Sequence, residues 1–376
     1  MAQNALQFGV LGPLQMRADG TDLPLGPAKQ RAVLAALLIN RNRTVSIDSL
    51  IDAAWQERPP PEARASLHAH VSRLRRLVSG AGVDPADVLV SAPPGYRLNV
   101  PDADCDLGRF AIAQKAGIQA AAAGRFEQAS GHLSDALAEW RGPVLEDLRD
   151  FEFVGPFAAA LAEDRLVTLT ARAEAEIACG RTHSIIPELE ALVAEHPYRE
   201  PLWAQLITGY YVADRQYDAL DAYGRLKSAL AEDLGIDPGP TLRSLHQRVL
   251  SQEPLDVKHA ARATAKRAAS TFQWRTEART SAVAHLRDAT GRRYPLRGAA
   301  TRIGRLADND IVLDDDTVSR FHAVLVDTGN SFVITDLQSA NGVEVAEQRI
   351  RTSATLADGD RIRICGHEFT FQIGES

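Results

Sequence analysis

The spacing of apolar residues changes along the chain and divides it into four stretches. Residues 1–104 mix short alternating runs with helical runs, and residues 105–252 are helical almost throughout. Residues 253–280 are polar, basic and rich in alanine, and their weak periodicity favours a linker. Residues 281–376 return to the two-residue alternation of half-buried strands. A chain of 376 residues is too long for one ordinary core, so we predict three folded domains and one linker.

The clearest helix of the first stretch is predicted at about residues 61–78. Apolar side chains recur at steps of four, three and four residues and form one stripe that faces a core: Leu67, Val71, Leu74 and Val78. The opposite face is polar and basic: Arg64, Ser66, His68, His70, Arg73 and Arg76. On this helix alone, a solvated basic face explains the pattern as well as a DNA-binding face does.

The segment after this helix favours the DNA-binding interpretation. The run VLVSAPPGYRLNV predicts a β-hairpin with Arg97 near its tip. A basic helix followed by a hairpin is typical of a winged helix-turn-helix, and SLHAHVSRLRR followed by GYRL resembles the OmpR-type winged helix over about 95 residues. The domain is therefore predicted to be α+β.

The resemblance implies a role for each matching residue. In that family the third helix enters the major groove and the hairpin reaches the minor groove, so Arg97 is the implied minor-groove residue. Arg64 and Arg76 are implied to flank the backbone. The residues implied to face bases and phosphates are Ser66, His68, Ala69, His70 and Arg73. His68 stands where an acid is frequent and Ser72 where arginine is common, so the base preference does not transfer.

Residues 105–252 contain two segments that fit one helix-pair template. The first is Gly117-x2-Ala120 with Ala129-x3-Leu133-x2-Ala136, and the second is Trp203-x2-Leu206-x3-Tyr210 with Ala219-x3-Tyr223. They predict an all-α, tetratricopeptide-like domain. The run HPYREPLWAQLITGYYVADRQYDALDAYGRL resembles the bacterial transcriptional activation domain, whose aromatic residues we expect to be core residues. The domain as a whole is implied to be a protein-interaction surface.

The last stretch carries an ordered set of candidate ligand residues: Gly304-Arg305, Ser319-Arg320-Phe321-His322 and Asn341-Gly342. Arginine matches phosphate oxygens with a planar fork of donors, and such charge-assisted hydrogen bonds are strong. The set resembles that of the forkhead-associated (FHA) domain, an all-β sandwich that binds phosphothreonine. The resemblance implies that Arg305 and Ser319 bind the phosphate, that Asn341 binds the peptide backbone and that Arg320 lies beside the peptide. Ala340 departs from the serine or threonine that many members carry.

Composition limits the other function classes. The formal net charge is −7, with 42 basic and 49 acidic residues, so any DNA-binding face must be a local patch. The three cysteines are far apart in sequence, which fits unpaired thiols in a reducing cytoplasm. We find no apolar run of about 20 residues, no signal peptide and no catalytic, phosphate-loop or zinc motif. We therefore expect no enzyme activity, cofactor, metal or membrane insertion.

The predicted domains are a winged helix (1–104), a helical activation domain (105–252), a linker (253–280) and an FHA domain (281–376). This order resembles mycobacterial members of the Streptomyces antibiotic regulatory protein family. The resemblance implies an activator of cell-wall arabinosyltransferase genes that binds promoter double-stranded DNA and RNA polymerase. It also implies a Ser/Thr kinase that docks on the FHA domain through phosphothreonine and phosphorylates the regulator. Two questions stay open: pairing of two copies on DNA, and an alternative adaptor that sequesters kinase without regulating DNA.

Overall fold

The computed structural model describes residues 6–56, 59–296, 300–306, 309–328 and 331–375, with backbone alone for 270–283 and 374–375. Two compact units form: one contains residues 1–112, 138–165 and 271–376, and the other contains 113–137 and 166–270. The first unit therefore includes both chain ends and a middle segment.

The N-terminal part is a winged helix, as predicted. Its elements are β1 (Leu6–Gly9), β2 (Gln15–Ala18), β3 (Thr21–Asp22), α1 (Ala28–Ile39), β4 (Thr44–Ser46), α2 (Ile47–Trp55), α3 (Ala63–Gly80), α4 (Pro85–Val88), β5 (Leu89–Ala92) and β6 (Gly95–Leu98). One antiparallel sheet has the order β1-β2-β3 and the other β4-β6-β5. Ser46 caps α2, because its side chain accepts from the Ser49 N–H at 3.0 Å.

The middle part is helical. Its helices are α5 (Asp106–Ala122), α6 (Phe126–Ala138), α7 (Val154–Ala178), α8 (Thr182–Glu195), α9 (Glu200–Val212), α10 (Gln216–Leu234), α11 (Pro240–Leu250) and α12 (Val257–Ser281). Small residues permit close packing of α5 on α6, since a Cβ on Gly117 would lie 2.5 Å from Leu133 Cγ. Trp203, Tyr210 and Tyr223 are core residues as predicted. Tyr217 is not, because 80% of it is exposed.

The predicted linker differs from the structure in one respect. Most of residues 253–280 belongs to α12, and Ala261 and Ala265 are buried in an alanine-rich cluster with Ala175 and Ala178. Alanine allows close helix contact but adds little to an apolar stripe, which is why the periodicity is weak. The side chains from residue 270 to 280 lie outside the described residues.

The C-terminal part is the predicted β-sandwich. Its strands are β7 (Ala282–Asp288), β8 (Arg293–Pro295), β9 (Ala300–Gly304), β10 (Ile311–Val312), β11 (Ala323–Asp327), β12 (Phe332–Asp336), β13 (Val343–Val345), β14 (Gln348–Arg349), β15 (Ser353–Leu356), β16 (Arg361–Ile364) and β17 (His367–Glu375). One sheet has the order β10-β9-β11-β12-β15 and the other β14-β13-β16-β17-β7-β8. Both sheets contribute to one core, for example through Leu325 and Phe371.

The sandwich also packs against the start of α7. Asp164 is 3% exposed, and its carboxylate accepts hydrogen bonds from Thr328 Oγ1 at 2.8 Å and from the Ser331 hydroxyl. The neighbouring Glu163 accepts from Ser353 Oγ at 3.0 Å. Two hydroxyl donors satisfy the buried carboxylate, as a charge removed from water requires.

Candidate functional site

The polar and basic face predicted to read DNA, here called the reading face of α3, is largely present. Leu67, Val71, Leu74 and Val78 are at most 3% exposed, so the predicted stripe is confirmed as the core face. On the other side, Ser66 is half-buried and five predicted residues are exposed: Arg64, His68, Ala69, Arg73 and Arg76. Arg64 lies 3.7 Å from Asp48 in a weak, solvent-exposed pair. The exposed set combines three arginines with small and polar groups, which suits contacts with phosphates and base edges.

His70 is a wrong prediction, because it is 8% exposed and faces the protein. Its ring centroid lies 5.9 Å from that of Trp55. Burial lowers the pKa of His70, and Arg73 and Lys29 lower it further. Its position is three residues after Leu67 and four before Leu74, so helical spacing places it beside the apolar stripe. A neutral ring of this size fills the space there.

His68 and Arg75 join α3 to the hairpin. His68 Nδ1 lies 2.6 Å from the Tyr96 hydroxyl. Arg75, which sequence reasoning missed, donates to Leu89 O at 2.8 Å and to Ser91 Oγ at 2.9 Å, and its guanidinium lies 5.7 Å from the Tyr96 ring centroid. No motif marks Arg75, since its basic side chain looks like part of the outer face. These contacts fix the hairpin relative to the helix.

The predicted position of Arg97 near the hairpin tip is wrong. Arg97 lies within β6, the central strand, where it pairs with Thr44 on one side and Val90 on the other. It is half-buried. Pro93 and Pro94 form the tip because strand pairing ends at Ala92 opposite Gly95; prolines lack the N–H that a ladder needs.

At one end of the sandwich, the loops after β9 and β10 carry Arg305 and Ser319 side by side. The Arg305 N–H donates to Ser319 O at 3.0 Å, and the Leu306 N–H donates to Arg320 O at 3.3 Å. The backbones of the two loops come so close that position 304 must be glycine, since a Cβ there would lie 2.4 Å from Arg320 O. Asn309, which sequence reasoning missed, donates from Nδ2 to Leu306 O at 2.8 Å and to Arg320 O at 2.9 Å.

His322 is fully buried, and it joins the loop that carries Asn341 to the loop that carries Ser319. Its Nδ1 accepts from the Ser319 N–H at 3.1 Å. Its Nε2 lies 3.0 Å from Gly342 O and carries the proton that this contact needs, since Nδ1 is the acceptor. The Ala340 N–H donates to Ser319 Oγ at 3.1 Å. The structure thus brings Arg305, Ser319 and Asn341 together on adjoining loops, with Arg320 exposed beside them.

Residues 315–317 contact two of these side chains. Arg305 Nη1 lies 3.5 Å from Asp316 Oδ1, and Asn341 Nδ2 donates to Thr317 O at 2.8 Å. The Thr317 hydroxyl and N–H lower the pKa of Asp315, which also contacts His367. A carboxylate and a carbonyl oxygen therefore contact the groups predicted to bind phosphate and peptide.

Two features are absent from the part of the chain that the structure describes. No group of three or more His, Cys, Asp or Glu residues there could hold a metal ion. No described helix has the length and apolarity needed to cross a bilayer.

Three family models match successive parts of the chain. They are "Transcriptional regulatory protein, C terminal" at residues 20–98, "Bacterial transcriptional activator domain" at 105–250 and "FHA domain" at 301–365. The order is the one expected from the sequence.

Curated relatives and one solved structure match most of the chain. The transcriptional regulatory protein EmbR of Mycobacterium tuberculosis H37Rv is 64% identical over 373 residues, which is 99% of this chain and 96% of the relative. MoaR1 of the same strain is 54% identical over 67% of this chain and 81% of its own. A solved structure, "Mycobacterium tuberculosis EmbR in complex with low affinity phosphopeptide", superposes with a TM-score of 0.96 and covers 100% of this chain and 99% of that one.

Proposed function

The chain belongs to the EmbR family of transcriptional regulators, and we propose that its winged helix binds promoter DNA while its FHA domain binds a phosphothreonine segment of a Ser/Thr kinase. The observation that carries the second activity is the group formed by Arg305, Ser319 and Asn341, which buried His322 holds together. The solved relative is described with a phosphopeptide bound.

The phosphate-binding part of the proposal rests on charge and geometry. Arg305 is exposed, and its guanidinium is paired only weakly, at 3.5 Å, with the exposed Asp316. Exposed pairs of this kind contribute about 0–1 kcal/mol, whereas hydrogen bonds to charged groups contribute about 1.5–3 kcal/mol. A phosphate with two negative charges would therefore displace Asp316 from Arg305, and the Ser319 hydroxyl would donate to it.

The peptide experiment uses a phosphothreonine peptide from a kinase activation loop and its unphosphorylated twin. Fluorescence anisotropy should show binding of the phosphopeptide alone, and Arg305→Ala should weaken it about 10- to 100-fold, as expected when a charged hydrogen-bonding partner is lost. Arg361→Ala is the matched control, because Arg361 is an exposed, ion-paired arginine on β16 of the same domain. Binding of neither peptide by the wild type would refute this part.

The DNA-binding part rests on the exposed face of α3. Arg64, Arg73 and Arg76 would contact phosphates, and Ser66, His68 and Ala69 would face base edges. Arg97 remains a proposed minor-groove contact, although it lies away from the hairpin tip. The corrected set omits His70.

The DNA experiment measures affinity as a function of salt on duplexes selected by the wild type from a random library. Arg73→Ala should weaken binding and reduce the slope of log K against log[salt] by about 1, since each phosphate contact contributes about 0.9. Arg17→Ala is the control, because Arg17 is a half-buried, ion-paired arginine that lies on β2 and not on α3. Failure to select any duplex would favour the alternative, an adaptor that binds kinase without regulating DNA.

We further propose cell-wall arabinosyltransferase genes as targets, RNA polymerase as a partner of the helical domain and kinase phosphorylation of the regulator itself. The family membership supports these finer statements. Transcript levels of those genes in a deletion strain test the first, and mass spectrometry after kinase treatment tests the last. Unchanged transcripts, or no modified threonine, would refute the corresponding statement.

A further inference from the structure

We propose that the β7–β8 hairpin of the FHA domain is a second wing, which contacts the phosphodiester backbone of the duplex bound by α3. This inference rests on the proposed DNA-binding function and extends it to a domain whose ligand is otherwise a phosphopeptide. It assigns a role to Arg292 and Arg293.

The hairpin presents positive charge without an available negative charge of its own. Arg287, Arg292 and Arg293 are all exposed. The one acid among residues 285–296 is Asp288, and its carboxylate accepts hydrogen bonds from other residues of the turn. Asp288 Oδ1 accepts from the Thr290 hydroxyl at 2.6 Å and from the Arg292 N–H at 2.9 Å. A carboxylate engaged by these donors competes poorly for the arginine side chains nearby.

The hairpin adjoins the winged helix across an open crevice of about 760 Å³. Arg292 and Arg293 line it on the hairpin side, and Arg43, Ser46 and Ser49 line it on the winged-helix side. The crevice thus combines guanidinium and hydroxyl donors, the groups that most often contact phosphate oxygens.

Two acids bear on the charge of the crevice. Asp310 lines it, and its carboxylate accepts from the Arg302 N–H at 2.7 Å. Asp327 pairs with Arg43 at 2.8 Å. Arg292 lies 4.8 Å from the Tyr294 ring centroid, which orients its guanidinium without neutralising it. Arg292 and Arg293 therefore remain positive groups that face a polar crevice.

The first residues of α2 connect this crevice to the reading face. The Ile47 N–H donates to Pro94 O at 3.3 Å, and Pro94 lies at the tip of the β5–β6 hairpin, which is the first wing. Asp48 lies 3.7 Å from Arg64 at the start of α3. Ser46 and Ser49, on either side of these two, line the crevice.

This neighbourhood places the hairpin beside the expected path of the duplex. DNA carries one negative charge per about 1.7 Å of helix axis. A duplex that contacts both α3 and the first wing continues its phosphate backbone past the site, so the base pairs next to the site are the ones that the hairpin would contact. Such contacts carry no sequence information and add affinity that depends on salt.

The test uses the full chain and two duplexes: the selected site alone, and the same site with about 10 extra base pairs on each side, which is about one helical turn. The wild type should bind the flanked duplex several-fold more tightly. Arg292→Ala/Arg293→Ala should lose that gain and reduce the salt slope on the flanked duplex by about 2, at about 0.9 per phosphate. On the short duplex it should match the wild type.

The control is Arg361→Ala/Arg363→Ala, which removes the same charge from β16, in the same sheet but away from the hairpin. It should retain the gain from the flanks. Equal slopes and affinities for the wild type and the hairpin variant would overturn this inference while leaving the proposed function intact. A wild type that gains no affinity from the flanks would overturn it as well. No duplex selected by the wild type would overturn both.

Discussion

Replacement of Asp164 by alanine should loosen the FHA domain from α7. The carboxylate is 3% exposed and accepts from the hydroxyls of Thr328, at 2.8 Å, and Ser331. Hydrogen bonds to a charged group contribute about 1.5–3 kcal/mol each. The two hydroxyls lie 3.2 Å apart and keep a bond to each other, which offsets part of the loss. We therefore expect about 2–4 kcal/mol less stability for this contact.

Hydrogen exchange followed by mass spectrometry measures this change locally, which suits a chain of several domains, since such chains do not as a rule unfold in two states. Peptides from β11 and β12 should exchange faster in Asp164→Ala, whereas peptides from α8 to α10 should not change. Glu163→Ala is the control: its carboxylate is half-buried and accepts from Ser353 at 3.0 Å, and because this side chain is less buried than Asp164, its effect should be smaller. Equal protection in both variants would refute the reasoning.

Three further predictions concern single side chains. Asp316→Asn should tighten phosphopeptide binding about 2- to 5-fold, as expected for removal of an exposed competing ion pair, and Arg305→Ala should abolish that gain; unchanged affinity would contradict the argument. Burial raises the pKa of Glu174 from 4.5 to about 7. The folded state therefore holds this proton more tightly than the unfolded state does, and the protein loses stability as the pH rises from 4.5 to about 7. Glu174→Gln should be more stable above pH 7 by about 3 kcal/mol, measured by hydrogen exchange of peptides from α7 to α9, and an unchanged pH profile would count against it. Burial also raises the pKa of Cys105 to about 11, so iodoacetamide at pH 8 should modify Cys105 only after denaturation, as peptide mapping can determine.

Sequence patterns predicted the elements whose apolar residues are large and regular. The stripe from Leu67 to Val78 placed the core face of α3 correctly. The order of Arg305, Ser319 and Asn341 resembled the ligand set of an FHA domain, and the structure brings these residues together on adjoining loops. Each of these depends on local spacing or on a motif, so the residues near in sequence contain the necessary information.

The errors arose where packing between distant residues decides the position of a side chain. His70 is polar by type, yet Trp55 from α2 covers it. Arg97 lies between two strands because β4, about 50 residues earlier, completes the sheet. Alanine contacts such as that of Ala261 give no signal in a hydrophobic pattern. The bonds from Asp164 to the sandwich join residues 164 and 167 positions apart, a separation that no single-sequence motif covers.

The unit that contains residues 1–112, 138–165 and 271–376 has a consequence for gene architecture. A recombination event that joined this FHA segment to the activation domain of another regulator would bring Thr328 and Ser331 without the carboxylate that satisfies them. The two hydroxyls would then face a foreign surface, unless the new host already had an acid at the corresponding position. Inheritance of the FHA segment should therefore be linked to inheritance of residues 138–165, although more than 100 residues of another compact unit separate the two in the gene.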